Sequence, residues 1–282
     1  MMGVPSLPSP TWFVGCGNMG GAILDGWRAA GIDLAPVTII RPSATPVEGV
    51  TVATRFGDAG APPRLVLLAF KPQQLSEVAP QLRTWLTSKA VVVSILAGVE
   101  TATLRALFPN AGAVVRAMPN LAVAVRRGVI AFFSADADDS QRRTLSEIVA
   151  PLGFAPWMPD EARLAAVGSV AGAGPAYVAR FIEALTKAGE QRGLSHEIAS
   201  TVALETVLGT GWMAAASGEA MADVAHRVAS PKGTTEAGLA VLDRDNVFDE
   251  LIALAIEAAG QRGQEMAQEA KSGVLADPSG TH

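Results

Sequence analysis

The stretch TWFVGCGNMGG, residues 11–21, decides the fold. Its apolar start, Trp12–Val14, predicts a strand, and the glycines that follow fit the pattern G-x-G-x-x-G. Apolar residues then recur at helical spacing, namely Met19, Ile23, Leu24 and Trp27. Glycines also make ordinary turns, so the pattern alone is weak. Between a strand and a helix it predicts dinucleotide binding, because the turn admits a pyrophosphate and the helix start offers free N–H groups.

Composition indicates a folded protein of two domains. The chain has 282 residues, of which 49% are hydrophobic and 17% charged. A net charge of -5, with no stripe of lysine and arginine, argues against nucleic acid as the partner. The single cysteine, Cys16, excludes an intrachain disulfide and a cysteine zinc site. It lies inside the glycine turn, where a small residue filling space is favoured over a nucleophile.

The sequence shows no feature typical of a membrane or secreted protein. The first ten residues lack the basic and apolar segments of a signal peptide. The longest uncharged stretch, between Arg163 and Arg180, is too short for a membrane span and is rich in Gly and Ala. We therefore expect a buried helix there and a cytoplasmic protein.

The first half of the chain predicts an α/β domain with a doubly wound parallel sheet of the Rossmann type. Short runs rich in Val, Ile and Leu alternate with helical patterns, as in strands covered on both faces. These runs are Trp12–Val14, Val37–Arg41, Leu65–Phe70, Val91–Ile95 and Ala113–Arg116. Gly128–Phe133 and Gly153–Trp157 look like further strands, with a helix between them over Asp136–Leu152.

After Pro159 the pattern becomes helical. Helices are expected over Arg163–Arg192, Ser195–Ser217, Met221–Val228, Thr234–Leu242 and Val247–Glu269. Their excess of apolar surface predicts a dimerisation domain. We expect an NADP-binding domain over residues 1–160, an all-α substrate and dimerisation domain over 161–270, and a disordered tail over 271–282.

The end of the second strand bears on the choice of nucleotide. NAD-binding folds carry an acidic residue there to hold the ribose 2′-hydroxyl. This chain has Arg41 and Ser43 instead, and both can bind a 2′-phosphate. The alternative is an ordinary solvated arginine. With the glycine turn present, the sequence favours NADP over NAD.

Ligands of open α/β sheets lie at the carboxyl ends of the strands. Three such ends carry unusual residues, in Lys71-Pro72, Leu96-Ala97-Gly98 and Met118-Pro119-Asn120. Each of these stretches alone is an ordinary connection between a strand and a helix. Lys71 is favoured as an orienting or surface lysine rather than a proton donor. Together they line one edge, beside the expected nicotinamide.

Five motifs then occur in a familiar order, GCGNMG, AFKPQ, VRAMPN, GAGPAY and SPKGTTEAGL. From about Thr11 to Glu269 the chain resembles the pyrroline-5-carboxylate reductases, which complete proline synthesis with NADPH or NADH. The resemblance implies a Rossmann domain followed by a helical domain that dimerises, with dimers assembling further into a decamer, a pentamer of dimers.

The resemblance also implies roles for particular residues. Cofactor phosphates would meet Gly15, Gly17, Asn18, Met19 and Gly20. The nicotinamide side would be lined by Ala69, Lys71, Pro72 and Asn120. The substrate carboxylate would be bound by Ser230, Gly233, Thr234 and Thr235, with the two threonines positioning the substrate.

Three departures from the family pattern concern the substrate. The first Gly of S-P-G-G is Lys232, the N-T-P sequence is Asn120-Leu121-Ala122, and two hydroxyls of S-G-S-G-P are lost at Ala171 and Ala173. None removes the cofactor site or the carboxylate loop, but they leave the identity of the substrate open.

Hydride transfer to a cyclic imine can be supported by residues that bind and orient the substrate, without a dedicated set of acid, base or nucleophilic side chains. A protonated cyclic imine is already electrophilic, so the enzyme has only to place its carbon against the nicotinamide and hold its carboxylate. Free amides and hydroxyls at the helix that follows Gly233 suit that carboxylate, although a plain capped helix is the alternative. We expect reduction of 1-pyrroline-5-carboxylate to L-proline. A reductase of another small cyclic imino acid or keto acid, and a non-catalytic NADP-sensing protein, remain as alternatives.

Overall fold

The computed structural model describes residues 4–275. The described chain divides into two compact units. One contains the chain up to Ala173 and again from Ala259, and the other contains Gly174–Ala258. The domain boundaries expected from the sequence, at 160 and 270, stay a prediction.

The first unit is built on an eight-stranded sheet of order β3-β2-β1-β4-β5-β6-β7-β8. The strands are β1 (Thr11–Val14), β2 (Val37–Ile40), β3 (Thr51–Ala53), β4 (Leu65–Leu68), β5 (Val91–Ser94), β6 (Ala113–Pro119), β7 (Gly128–Phe133) and β8 (Gly153–Phe154). β1 to β6 are parallel, β7 runs antiparallel to β6, and β8 runs parallel to β7. This confirms the α/β class and the doubly wound sheet.

The helices of this unit are α1 (Asn18–Ala29), α2 (Leu75–Arg83), α3 (Thr101–Leu107), α4 (Asp139–Val149) and α5 (Glu161–Val167). They cover both faces of the sheet, because successive residues of a buried strand point to opposite sides. Phe13 and Ile39 pack into the core on one face, and Trp12 and Val66 pack into the core on the other. The apolar runs of the sequence are unbroken because both faces of these strands are buried.

The strand predictions are confirmed in place, with differences at their ends. β3 was not expected from the sequence, and β8 stops at Phe154 instead of reaching Trp157. Trp157 makes one isolated bridge to Phe132. β6 runs on to Pro119, beyond the expected Arg116, because its last residues pair with the antiparallel β7.

The second unit is helical. It contains α6 (Gly174–Gln191), α7 (His196–Ser217), α8 (Met221–Val228), α9 (Thr234–Leu242) and the first part of α10 (Val247–Leu275). One expectation was wrong here, since the single helix over Arg163–Arg192 is interrupted. α5 gives way to a π-helical turn over Gly168–Gly172 before α6 begins. Glycines at 168, 172 and 174 weaken the helix at that point.

Large apolar side chains remain exposed on this unit. Only Ala199, Ala203 and Ala214 of α7 are buried, and Val202 and Leu208 are exposed. α10 likewise exposes Leu251 and Leu254, at 61% and 62%. Many exposed apolar side chains on one unit are typical of a protein interface.

α10 extends to Leu275, past the expected start of the tail at 271. This end of α10 is held by an ion pair between Lys271 Nζ and Glu100 Oε2, which lie 2.9 Å apart. The composition of the segment alone does not predict such a contact. The rest of the expected tail, residues 276–282, lies outside the described residues. None of the described helices is long and apolar enough to cross a membrane.

Candidate functional site

The glycine turn after β1 packs tightly against the end of β4. Gly15 has φ +77°, and a Cβ there would lie 2.7 Å from the carbonyl oxygen of Ala69. A Cβ on Gly20 would lie 3.2 Å from the Ala69 Cβ. The turn therefore requires glycine at position 15, and the tight contact at position 20 favours small residues at 20 and 69.

The start of α1 is open for an anion. Gly17 is its N-cap, no side chain caps it, and its first turn holds no acidic residue. A Cβ added to Gly17 would meet no atom within 4 Å. The first turn of α1 therefore has its N–H groups at the positive end of the helix dipole, with open space beside Gly17, an arrangement that suits a pyrophosphate.

Cys16 fills space beside this turn. Its side chain is partly buried, and its sulfur lies 3.6 Å from where a Gly20 Cβ would be. Burial raises the pKa of the Cys16 thiol, and the charge of Arg41 opposes that rise only in part. A thiol with a raised pKa is a weak nucleophile, in agreement with the packing role expected from the sequence.

The loop after β2 forms a cationic group with two hydroxyls. Arg41 Nε donates to the Ser43 carbonyl at 3.2 Å, and its Nη2 donates to the Thr45 carbonyl. The hydroxyls of Ser43 and Thr45 lie 2.6 Å apart. Arg41 and Ser43 are brought together as the sequence predicts. Thr45 is not identified from the sequence pattern. The sequence feature that could have indicated it is a second hydroxyl residue two positions beyond Ser43.

The residues that follow β4 and β6 differ in their exposure and in their hydrogen bonds. Lys71 is exposed, and its backbone N–H donates to Gln74 Oε1 at 3.3 Å while Pro72 starts the following turn. Asn120 is buried. Its Nδ2 donates to the Ala171 carbonyl at 3.0 Å, and its Oδ1 accepts from Val129 N at 3.1 Å. The amide of Asn120 therefore ties β7 to the π-helical turn.

The loop before α9 lies in the second unit. Gly233 is the N-cap of α9 without a capping side chain, and Thr234 and Thr235 occupy its first turn. Gly233 N donates to the Ser230 carbonyl at 2.9 Å, and a Cβ on Gly233 would lie 2.8 Å from that oxygen. Backbone amides and two hydroxyls are thus concentrated at the start of α9, together with the carboxylate of Glu236 in its first turn.

The backbone conformation of Lys232 shows how the loop accommodates a lysine in place of the family's glycine. Its φ is +61°, a left-handed conformation that normally favours glycine. Its backbone N–H donates to Glu236 Oε2 at 2.6 Å, which helps hold it there. The loop keeps the backbone shape of a glycine-containing loop despite the lysine.

Residues 4–275 contain no group of three His, Cys, Asp or Glu side chains arranged to hold a metal ion. His196 pairs with Glu190 at 2.8 Å, and His226 lies in the last turn of α8. The groups that this part of the chain offers for binding include backbone N–H groups, hydroxyls and Arg41.

Comparison with known proteins gives two family matches. Residues 161–266 match a family described as pyrroline-5-carboxylate reductase dimerisation. Residues 12–98 match a family described as NADP oxidoreductase coenzyme F420-dependent. The first covers the helical part of the chain, and the second covers the glycine turn and the loop with Arg41.

Whole-length relatives agree with these matches. The chain is 36% identical to the pyrroline-5-carboxylate reductase of Pseudomonas aeruginosa over 264 residues, covering 91% of this chain and 96% of that protein. The structure of the Coxiella burnetii enzyme is 31% identical with a TM-score of 0.84, covering 93% and 99% of the two chains. The Plasmodium falciparum pyrroline carboxylate reductase, solved with NADP bound, is 25% identical with a TM-score of 0.81, covering 92% and 98%.

Proposed function

The chain belongs to the pyrroline-5-carboxylate reductase family, and from this we propose that it reduces 1-pyrroline-5-carboxylate to L-proline with NADPH. The observation that carries the proposal is the 36% identity over 91% of the chain, which spans both the glycine turn and the loop before α9. Whole-length identity at this level supports a common reaction as well as a common fold.

The residues of the first unit fit NADP. The open start of α1 suits the pyrophosphate through the N–H groups of residues 18–20. Arg41, Ser43 and Thr45 suit the 2′-phosphate, and no acidic side chain stands at the end of β2 to repel it. We assign Ala69, Lys71, Pro72 and Asn120 to the nicotinamide side, because they follow β4 and β6 at the carboxyl edge of the sheet.

The loop before α9 is assigned to the substrate carboxylate. Ser230 and Gly233 shape the loop, while the backbone N–H groups and hydroxyls of Thr234 and Thr235 bind the anion. Thr235 is the stronger contributor, since it matches the better-kept threonine of the family motif. The missing side chain of Gly233 lets the carboxylate approach the backbone.

Few side chains are needed for the chemistry. NADPH, when bound, supplies the hydride that reduces the ring C=N bond. The imine enters protonated, so its nitrogen leaves as a secondary amine without a protein acid. The chain holds the carboxylate, fixes the ring and limits its motion, and this ordering lowers the entropic part of the barrier.

The experiment that tests the function compares substrates. Purified protein with NADPH is given pyrroline-5-carboxylate, piperideine carboxylate or ketopantoate, and NADPH oxidation is followed by absorbance. We expect the highest kcat/KM for pyrroline-5-carboxylate and growth of a proline auxotroph that carries this gene. A higher kcat/KM for either other substrate would assign a different reductase, and binding of NADPH without oxidation of it would indicate a sensor.

The family match to a dimerisation segment and the exposed apolar residues of the second unit support a homo-oligomer. We further propose that dimers assemble into a pentamer of dimers, a state that sedimentation measures directly. A cytoplasmic location is also proposed, supported by the single, unbridged cysteine.

A further inference from the structure

The last turns of α10 lie directly against the loop that follows β5. This loop, residues 95–100, contains Gly98 with φ +76°. A Cβ on Gly98 would lie 2.7 Å from the carbonyl carbon and oxygen of Met266 and 2.9 Å from Ala267 N. Loop backbone and helix backbone are therefore in contact, with no room for a side chain between them.

Two polar contacts fix the same loop at its end. Lys271 Nζ lies 2.9 Å from Glu100 Oε2, which joins α10 to the residue that precedes α3. On the other side, Glu161 Oε1 accepts from Thr101 N at 2.9 Å and lies 3.4 Å from Nη1 of the buried Arg116. The end of the loop and the start of α3 are thus tied to α10 and α5.

A cavity of about 320 Å³ lies where α10 meets the carboxyl edge of the sheet. One side is formed by Pro72, Gln73 and Ser76, which follow β4, and by Ala97, which follows β5. The other side is formed by Arg262, Met266, Glu269 and Ala270 of α10. In a doubly wound sheet the ends of β4 and β5 lie toward the nicotinamide half of the cofactor site.

We propose that residues 262–271 of α10 are positioning residues, which set the 95–100 loop for hydride transfer. The inference rests on the proposed function and extends it, since it gives the end of α10, which belongs to the first unit, a role in the reaction. The phosphates and the 2′-phosphate are assigned to other parts of the chain, the glycine turn and the loop with Arg41. Displacing α10 should therefore disturb the geometry of the reaction more than the affinity for NADPH.

A matched pair of glycine substitutions tests the contact. Gly98→Ala introduces a methyl group where the Met266 backbone lies 2.7 Å away. Gly31→Ala is the control, because Gly31 has nearly the same φ, +75°, and no atom within 4 Å of its Cβ position. Both variants place alanine in a left-handed conformation, so the difference between them reports the contact with α10.

The first measurement is hydrogen–deuterium exchange on the protein without NADPH. We expect faster exchange in residues 95–100 and 262–271 of the Gly98→Ala variant, and no change at either segment in the Gly31→Ala variant. Equal exchange in the two variants would overturn the contact. This readout does not depend on the reaction.

The second measurement separates chemistry from binding. A misplacement on the ångström scale costs up to about a hundredfold in rate, so we expect Gly98→Ala to lower kcat by about ten- to a hundredfold. The Kd of NADPH should stay within about threefold, and the isotope effect with NADPH deuterated at the transferred position should increase. A Kd that rises as far as kcat falls would overturn the positioning role.

Reversing the charges of the Lys271–Glu100 pair tests the same role with a second set of variants. This test remains available if the Gly98→Ala variant fails to fold. Lys271→Glu should lower kcat, and adding Glu100→Lys should restore it by re-forming the pair in the opposite sense. Failure of the double variant to recover would overturn the positioning role of Lys271. Wild-type turnover on pyrroline-5-carboxylate is measured in parallel, so loss of the proposed function would appear there and not in the comparison of variants.

Discussion

Replacing Arg41 by alanine should separate the two nicotinamide cofactors. Arg41 is held by the carbonyls of Ser43 and Thr45, and its Nη1 has no hydrogen-bond partner within residues 4–275. That nitrogen is free to bind a 2′-phosphate. Hydrogen bonds to charged groups contribute about 1.5–3 kcal/mol, so Arg41→Ala should raise the Kd of NADPH about ten- to a hundredfold.

NADH lacks the 2′-phosphate, and its Kd should change by less than about twofold. The assay is fluorescence titration of each cofactor, with kcat/KM at saturating imine as the second readout. Arg83→Ala serves as the control, because Arg83 is also exposed but lies in the last turn of α2. Thr45→Val should weaken NADPH less than Arg41→Ala does, because Thr45 offers one neutral hydroxyl. Equal losses for NADPH and NADH in the Arg41 variant would refute the assignment.

Three further predictions concern the second unit. Thr235→Ala should lower kcat/KM for the imine about ten- to a hundredfold and leave the Kd of NADPH unchanged, because one hydrogen bond to the carboxylate is lost; weaker NADPH with unchanged imine kinetics would assign the loop to the cofactor. Lys232→Gly should raise the free energy of unfolding by about 1 kcal/mol in denaturant titrations, since glycine removes the steric cost of a left-handed lysine; a decrease would show that the lysine side chain stabilises the loop. Leu254→Glu places a charge on a side chain that is 62% exposed, and light scattering should then show smaller particles; an unchanged particle size would exclude this residue from the interface.

The sequence predicts those parts of the fold that local pattern determines. The parallel strands could be found because each is a short, unbroken apolar run. α4 lies within the helix expected over Asp136–Leu152, and the structure adds that Asp138 caps it, accepting from Gln141 N at 2.8 Å. β3 was missed because Thr51–Ala53 is only three residues long and follows a loop rich in Pro and Gly. Alternation and spacing cannot identify an element of that length.

Non-local contacts were beyond the reach of the sequence pattern. The extension of α10 past Glu269 accompanies contacts with Gly98 and Glu100, which lie more than 150 residues away. The glycine turn was predictable at the candidate site because its function needs particular backbone angles. Thr45 was not, because its place beside Ser43 follows from how Arg41 folds over the loop.

The short outer strands of the sheet have a consequence for how copies of this chain meet. β3 has three residues and β8 has two, and each pairs with another strand on one side within the described chain. So little exposed backbone is a poor template for adding strands from another molecule. Self-association through sheet extension, the route to fibres, is thereby disfavoured, and recognition between copies is left to side chains on helices. Variants that loosen the helical interface should accordingly yield dispersed smaller species instead of cross-β aggregates.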